Sequence, residues 1–259
     1  MRQRLLTAAV LLPIGLVILW FDPWGVSAAA LLCALSAGMC WEYGGIASEA
    51  GAPLNRIERG WAALAAGTAA LFGDWVGLLA LGSLVPVAFK GSVDTFLKRS
   101  SCVLFGVVLF GWCFGWNGMR LHRLDGERWL LLTALTVWIC DSAAYFVGRY
   151  LGKRPLAPNV SGRKTWEGFA AGFAGAAAAG WLAGAWLGVI EWKAGLGAGM
   201  IVGLVAPMSD LFASALKRSG GVKDSGALFP GHGGFLDRFD SFVFTLPALY
   251  YYWSWLSNL

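Results

Sequence analysis

Charge is what this sequence has least of. Asp, Glu, Lys and Arg make up 14% of 259 residues, hydrophobic residues make up 58%, and mean hydropathy is +0.62. A soluble domain carries about 25% charged and about 45–50% apolar residues, so a soluble globular fold is excluded. Cysteine chemistry is missing too. Cys33, Cys40, Cys102, Cys113 and Cys140 all lie in apolar runs, with no CxxC pair and no Cys/His cluster, and they read as small buried residues. No Ser/His/Asp spacing, zinc motif or dinucleotide fingerprint occurs, so nothing marks a nucleophile that must form a covalent intermediate. Gly148-x-x-x-Gly152-Lys153-Arg154 is no P-loop, which needs four residues between its glycines and Ser or Thr after the Lys. No linker is long enough to separate two domains, and no internal repeat is visible.

What remains is length in apolar runs. Runs near 4–21, 25–46, 58–72, 75–90, 100–118, 128–150, 166–190, 195–217 and 238–257 predict about nine transmembrane helices in an all-α, polytopic membrane protein. The 58–72 and 75–90 runs are short, a tilted pair broken at Gly73-Asp74 or one irregular element. The expectation is a single multi-spanning domain over 1–259, with N-terminal helices to about 119 and catalytic helices and loops over about 128–257. The start, MRQRLLTAAVLLPIGLVILW, has the basic head and apolar body of a signal peptide, but Phe21-Asp22-Pro23-Trp24 follows in place of an A-x-A site. It reads as a retained first span. The 36 glycines suit close helix packing in lipid. Residues Gly168, Gly172, Ala176, Gly180, Gly184 and Gly188 recur every fourth place and line one ridge that another backbone can approach.

With the N-terminus inside, the cytoplasmic segments hold sixteen of the 20 Lys and Arg, among them Arg56, Arg59, Lys98, Arg99, Lys153, Arg154, Arg163 and Lys164. That bias puts both polar loops on the cytoplasmic face of the inner membrane. The segment RLHRLDGER, 120–128, opposes it with three arginines outside. Trp20, Trp61, Trp75, Trp129, Trp166, Trp192, Trp253 and others of the 15 tryptophans fall near helix ends, as an interfacial aromatic belt requires.

The polar residues concentrate in Ser214–Asp240, SALKRSGGVKDSGALFPGHGGFLDRFD. Asp210, Ser214 and Lys217 are spaced i, i+4, i+7 and share one helix face. An acid inside a lipid-spanning helix is costly and faces a polar cavity or a partner. Pairing with Lys217 or Arg218 is the bland alternative to metal or substrate contact. Pro207 is expected to kink that helix. Asp237 and Asp240 stand at i, i+3 where the last helix begins, antiparallel to the helix of Asp210. Converging carboxylates suit a hard cation such as Mg²⁺, whereas alone they would complement a helix N-terminus. His232 with Gly233 and Gly234 forms a loop whose amides suit phosphate. A loop-bracing hydrogen bond is the other reading of His232. Upstream, Asp141 lies about 15 Å along its helix from the cytoplasmic end, and Lys153, Arg154, Arg163 and Lys164 form a cluster that attracts phosphate or simply marks the inner side. Carboxylates with basic residues at a membrane face suit phosphoryl or nucleotidyl transfer.

The run Ser214-x-Leu216-Lys217-Arg218-x4-Lys223-Asp224-x-Gly226-x2-Phe229-Pro230-x-His232-Gly233-Gly234-Phe235-x-Asp237-Arg238-Phe239-Asp240 resembles the signature of phosphatidate cytidylyltransferases, the CDP-diacylglycerol synthases, at every defined position. Asp141-Ser-x-Ala144-Tyr145, Gly152-Lys153 and Lys164-Thr165-x-Glu167-Gly168 are similar as well. Gly162 departs, since members commonly have Pro before the Lys-Thr pair. The likeness covers roughly 138–240. It implies transfer of CMP from CTP to phosphatidate with Mg²⁺, a second cation being left open. Asp210 and Asp237 would hold metal, with Asp240 and Asp224 supporting. Lys217, Arg218, Lys223 and Arg238 would neutralise phosphate. His232 would belong to the catalytic set, and Asp141, Tyr145, Lys153, Lys164, Thr165, Ser214, Gly233 and Gly234 would contact substrate. The partners expected are CTP, phosphatidate, membrane lipid and a second copy of the chain, with no nucleic acid. A polyprenol kinase using CTP, an ether-lipid cytidylyltransferase and an ion-coupled transporter are the alternatives. Asp237→Asn is expected to abolish turnover in a chain that still inserts and folds.

Overall fold

The computed structural model describes residues 26–89, 92–125, 127–187, 191–226, 228 and 233–258. The expected first span, 4–21, lies outside them. The elements in order are α1 (Val26–Glu49), α2 (Arg56–Ala69), a 3-10 turn (Gly73–Trp75), α3 (Val76–Ser83), α4 (Val85–Phe89), α5 (Val93–Gly106), a π-helical stretch (Val107–Trp116), α6 (Asn117–Asp125), α7 (Glu127–Leu151), strands β1 (Pro155–Ala157) and β2 (Ser161–Thr165), α8 (Trp166–Leu187), α9 (Trp192–Ser219), the single turn α10 (Leu236–Phe239) and α11 (Phe242–Leu256). Among the described residues the fold is all-α apart from one hairpin. Among the described residues, five helices are long and apolar enough to cross a membrane: Val26–Glu49, Val93–Arg123, Trp129–Leu151, Trp166–Trp186 and Trp192–Ser219.

Several expectations change here. The 58–72 and 75–90 runs do break at Gly73–Trp75, and neither reaches spanning length as one helix. The 100–118 run is part of a longer span, Val93–Arg123, so Lys98 and Arg99 are helical, not loop residues. Arg99 is buried against buried Glu58, donating to both of its carboxylate oxygens; burial without a carboxylate partner would be prohibitive for a guanidinium. The last helix is interrupted at Asp240-Ser241. α9 runs unbroken past Pro207.

The chain forms two compact units. The first comprises the described residues up to Arg120 together with Leu216–Asp240; the second comprises Leu121–Ala215 with Ser241–Leu259. In the first, Asn55 caps α2 by accepting from Ile57 and Glu58 amides, and Glu58 returns the bond to the Asn55 amide, a capping box. Glu58 thus both starts α2 and neutralises Arg99. Small residues bring the helices together. A Cβ on Gly67 would stand 3.2 Å from the Cys33 carbonyl of α1, and one on Gly111 2.9 Å from the Ala66 carbonyl of α2.

In the second unit the predicted small-residue ridge, apart from Gly188, which lies outside the described residues, forms a packing surface of α8. A Cβ on Gly168 would come 2.7 Å from the Ala144 carbonyl, and one on Gly172 3.0 Å from that of Cys140, both on α7. Farther along, Gly180 faces Gly199 of α9, where a Cβ would lie 2.7 Å from the Gly199 Cα. Helix backbones this close exchange dispersion contacts that lipid tails cannot match. α11 joins α9 through the Phe244 amide on Ser209 Oγ (3.2 Å) and the Phe212–Phe244 ring pair.

Candidate active site

The first unit gathers its polar residues around Asp237. Lys217, on the last turns of α9, donates to Asp237 Oδ1 at 2.7 Å, and its Nζ lies 3.9 Å from Asp240 Oδ2. Both members of the closer pair are almost wholly buried, at 10% and 6% exposure. Asp237 Oδ2 accepts from the Ser225 amide (2.7 Å) and the Gly234 amide (3.0 Å), with Ser225 Oγ 3.0 Å away. Burial works to raise the Asp237 pKa, but the Lys217 bond and the two amide donors outweigh it, so the carboxyl sits below its ordinary value. Gly233 has φ +81°, and a Cβ there would run into the Asp237 carboxylate. Only glycine suits both conditions.

Other predicted residues border this cluster. Arg218 donates to the Val222 carbonyl at 3.0 Å and closes the turn after α9. Lys223 and Asp224 are exposed, and Arg238 is exposed on α10. Asp224 lines a cavity of about 440 Å³ together with Trp41, Glu42, Arg59, Ser225 and Phe235. His232 lies outside the described residues.

The second unit holds the other predicted acid. Asp210 is 2.5 Å from Lys164 Nζ, and Ser214 Oγ donates to its Oδ1 at 3.3 Å. The expected shared face of Asp210 and Ser214 is therefore real, while the salt-bridge partner is Lys164, not Lys217 or Arg218. Ser241 Oγ stands 3.5 Å from Asp141 Oδ2, the outer limit of a hydrogen bond. Lys164 is delivered by the hairpin, in which Pro155 opposes Thr165 and Ala157 opposes Ser161. Gly162 lies in β2, with a Cβ there meeting only the Pro158 carbonyl at 3.8 Å. Thr165 Oγ1 accepts from the Gly168 amide (3.2 Å) and starts α8, and Glu167 accepts from the Lys153 and Arg154 amides. Gly152 is pressed against Thr165, which leaves no room for a side chain. Lys153 itself is exposed, as is Tyr145, whose hydroxyl accepts from Arg149 at 2.6 Å.

Sequence reasoning passed over Glu42. It lies on α1, buried, and accepts from the Phe235 amide (2.8 Å), the Leu236 amide (2.9 Å) and Ser225 Oγ (2.7 Å). The available signal was an acid inside an apolar span, the rule that singled out Asp141 and Asp210. Among the described residues, no three His, Cys, Asp or Glu side chains group as a metal site.

This chemistry is basic residues held on carboxylates, with a glycine-bearing loop shaped around one of them, and it agrees with what the chain is similar to. The Cytidylyltransferase family matches residues 2–256. A phosphatidate cytidylyltransferase of Staphylococcus aureus (strain COL) is 36% identical over 188 residues, covering 68% of this chain and 70% of that protein. One from Synechocystis sp. is 44% identical over 144 residues, 53% of this chain and 48% of that protein. One from Bacillus subtilis (strain 168) is 39% identical over 159 residues, 58% of this chain and 56% of that protein. The chain belongs to the cytidylyltransferase family.

Proposed function

We propose that this protein is a nucleotidyltransferase that makes CDP-diacylglycerol and pyrophosphate from CTP and phosphatidate. A phosphatidate oxygen attacks the α-phosphorus of CTP, the α–β bridging bond breaks, and pyrophosphate leaves with that electron pair. The observation that carries the reading is the Lys217–Asp237–Ser225–Gly234 network, which fixes the loop of the family signature. The relatives' shared name supports the substrates.

Within this reaction the chain's own residues position and neutralise. Lys217 and Lys223 offset triphosphate charge. Arg218 and Arg238 support the loop they border. Lys164, Lys153, Thr165, Tyr145 and Ser214 of the second unit contact substrate phosphate. Mg²⁺ is the proposed cofactor, with Asp237 and Asp240 in the first unit, and Asp210 in the second, as candidate carboxylate ligands. What supports it is the donor chemistry: hard oxygen donors now engaged by ammonium groups, Lys164 on Asp210 and Lys217 on Asp237. Mg²⁺ commonly takes only one or two carboxylates, with substrate phosphates and water completing its shell. When bound it would offset charge on the leaving pyrophosphate. A face toward the cytoplasm, where CTP is, with lipid entering from the side, completes the proposal. Its support is the Lys/Arg bias of the polar loops.

The test is detergent-purified protein with labelled CTP, phosphatidate and Mg²⁺, with and without EDTA. Release of pyrophosphate with CDP-lipid formation, abolished by EDTA and independent of any gradient, is expected. CDP as the by-product would mean a kinase, and no product in any arm would overturn the enzyme reading.

A further inference from the structure

We infer that Glu42 is a positioning residue for the cytidylyl transfer proposed above, acting through the loop that carries Lys223, Asp224, Gly233, Gly234 and Asp237. The inference rests on that reading for its reaction, but on separate geometry for its site.

Glu42 comes from α1, far from the family signature in sequence: its three partners are 183, 193 and 194 residues away. Its Oε1 takes the Phe235 amide. Its Oε2 takes the Leu236 amide and Ser225 Oγ. Phe235 and Leu236 open α10, whose next residue is Asp237. The bonds to Glu42 therefore set where that turn begins and so where the Asp237 carboxylate points. Ser225 links the two acids directly, since its hydroxyl lies 2.7 Å from Glu42 and 3.0 Å from Asp237. One hydroxyl proton serves one acceptor at a time, and the shorter contact assigns it to Glu42. That leaves the Asp237 carboxylate to the two backbone amides and Lys217.

The loop is built around this carboxylate from both sides. A Cβ on Gly226 would stand 3.0 Å from Glu42 Oε1, and one on Gly234 would overlap the carboxylate. Two glycines of the signature thus lack side chains where Glu42 enters. A buried side chain that accepts three hydrogen bonds holds its donors in one arrangement. Displacement of about 1 Å in catalytic groups costs on the order of 10²-fold in rate, so a brace of this kind acts on turnover without touching substrate.

Glu42→Gln tests it. The amide keeps the shape but places a donor against the Phe235 or Leu236 amide, whichever way it turns. The expected result is a fall in kcat of about 10²-fold, measured per folded molecule, a rise in the Mg²⁺ concentration needed for half-maximal activity, and faster hydrogen exchange at the Phe235 and Leu236 amides. Ser225→Ala, which strands no charge, should shift all three readouts in the same direction by less. Wild-type kcat and Mg²⁺ dependence in folded Glu42→Gln would overturn the inference. So would unchanged exchange at those two amides, or a loss of activity matched by the loss of folded protein. If the wild-type protein makes no CDP-lipid, the proposed reaction falls. The exchange comparison then still decides whether Glu42 holds the loop.

Discussion

Asp237→Asn is the most informative single change, because the bonds around it allow its cost to be worked out. The carboxylate gives one oxygen to Lys217 and the other to two backbone amides. An asparagine offers one acceptor and one donor. If its oxygen stays on Lys217, its NH₂ faces the Ser225 and Gly234 amides. If it turns over, its NH₂ faces the ammonium. Both orientations strand buried donors, and the Lys217 charge loses its near partner at a site only 10% exposed. Breaking a buried pair by removing one partner costs about 3–5 kcal/mol, a figure that already contains the stranded groups. Asp240, 3.9 Å away, keeps some compensation and points to the lower end. Against a total stability of about 5–15 kcal/mol the loss is large. The sequence predicted lost turnover with folding intact; the bonds predict both losses together. Unfolding free energies in mixed micelles, measured for Asp237→Asn, Lys217→Met and the double variant, would read the coupling. A coupling of about 2 kcal/mol or more is expected, within the range for contacting residues. Additive single effects, to within about 0.5 kcal/mol, would refute the claim that this pair is a tight, desolvated contact. Full turnover in the folded Asn variant would refute the role of Asp237 in the chemistry.

Four further outcomes follow from the structure. Because the Asp237 pKa is lowered on folding, its contribution to stability is complete above the ordinary aspartate value of about 3.9 and is lost as pH falls through the folded value; acid unfolding curves should show this loss in the wild type and lack it in Asp237→Asn. Arg99→Met leaves Glu58 buried and unpaired and should cost about 3–5 kcal/mol, while Arg99→Met with Glu58→Met should recover much of it, less the capping bond to Asn55 worth about 1 kcal/mol; micelle unfolding distinguishes the two. Gly180→Leu must part α8 from α9 and should lower the thermal midpoint sharply, beyond the usual overpacking cost of about 1–3 kcal/mol. Gly77→Ala meets nothing within 4 Å and should be neutral or stabilising by about 0.5–1 kcal/mol.

How far the sequence reached depended on whether a signal was local. Spacing of four along α8 is a local signal, and the ridge packs as its period demands. Asp237 and Lys217 stood out as charges in an apolar chain, and the glycines between them announced a loop. Glu42 is equally charged and equally enclosed. Its partners, however, are nearly two hundred residues away, and no spacing within α1 points to them. Arg99 falls just before the apolar run at 100–118 and so counts with the cytoplasmic basic residues, whereas a distant carboxylate lets it enter the helix. The hairpin was invisible for another reason. Ser-Gly-Arg-Lys-Thr has no alternation of apolar and polar residues, and its strands are held by pairing and by their seat beside α8 and Glu167.

The distance between Glu42 and its donors also has a consequence in time. A ribosome adding about 5–20 residues per second needs about 10–40 s to travel from Glu42 to Leu236. Through that interval the helix of Glu42 has been made while every group that satisfies its carboxylate is still unmade. The nascent chain must therefore keep this acid hydrated at the membrane edge or otherwise shielded until the last third of the protein arrives to claim it.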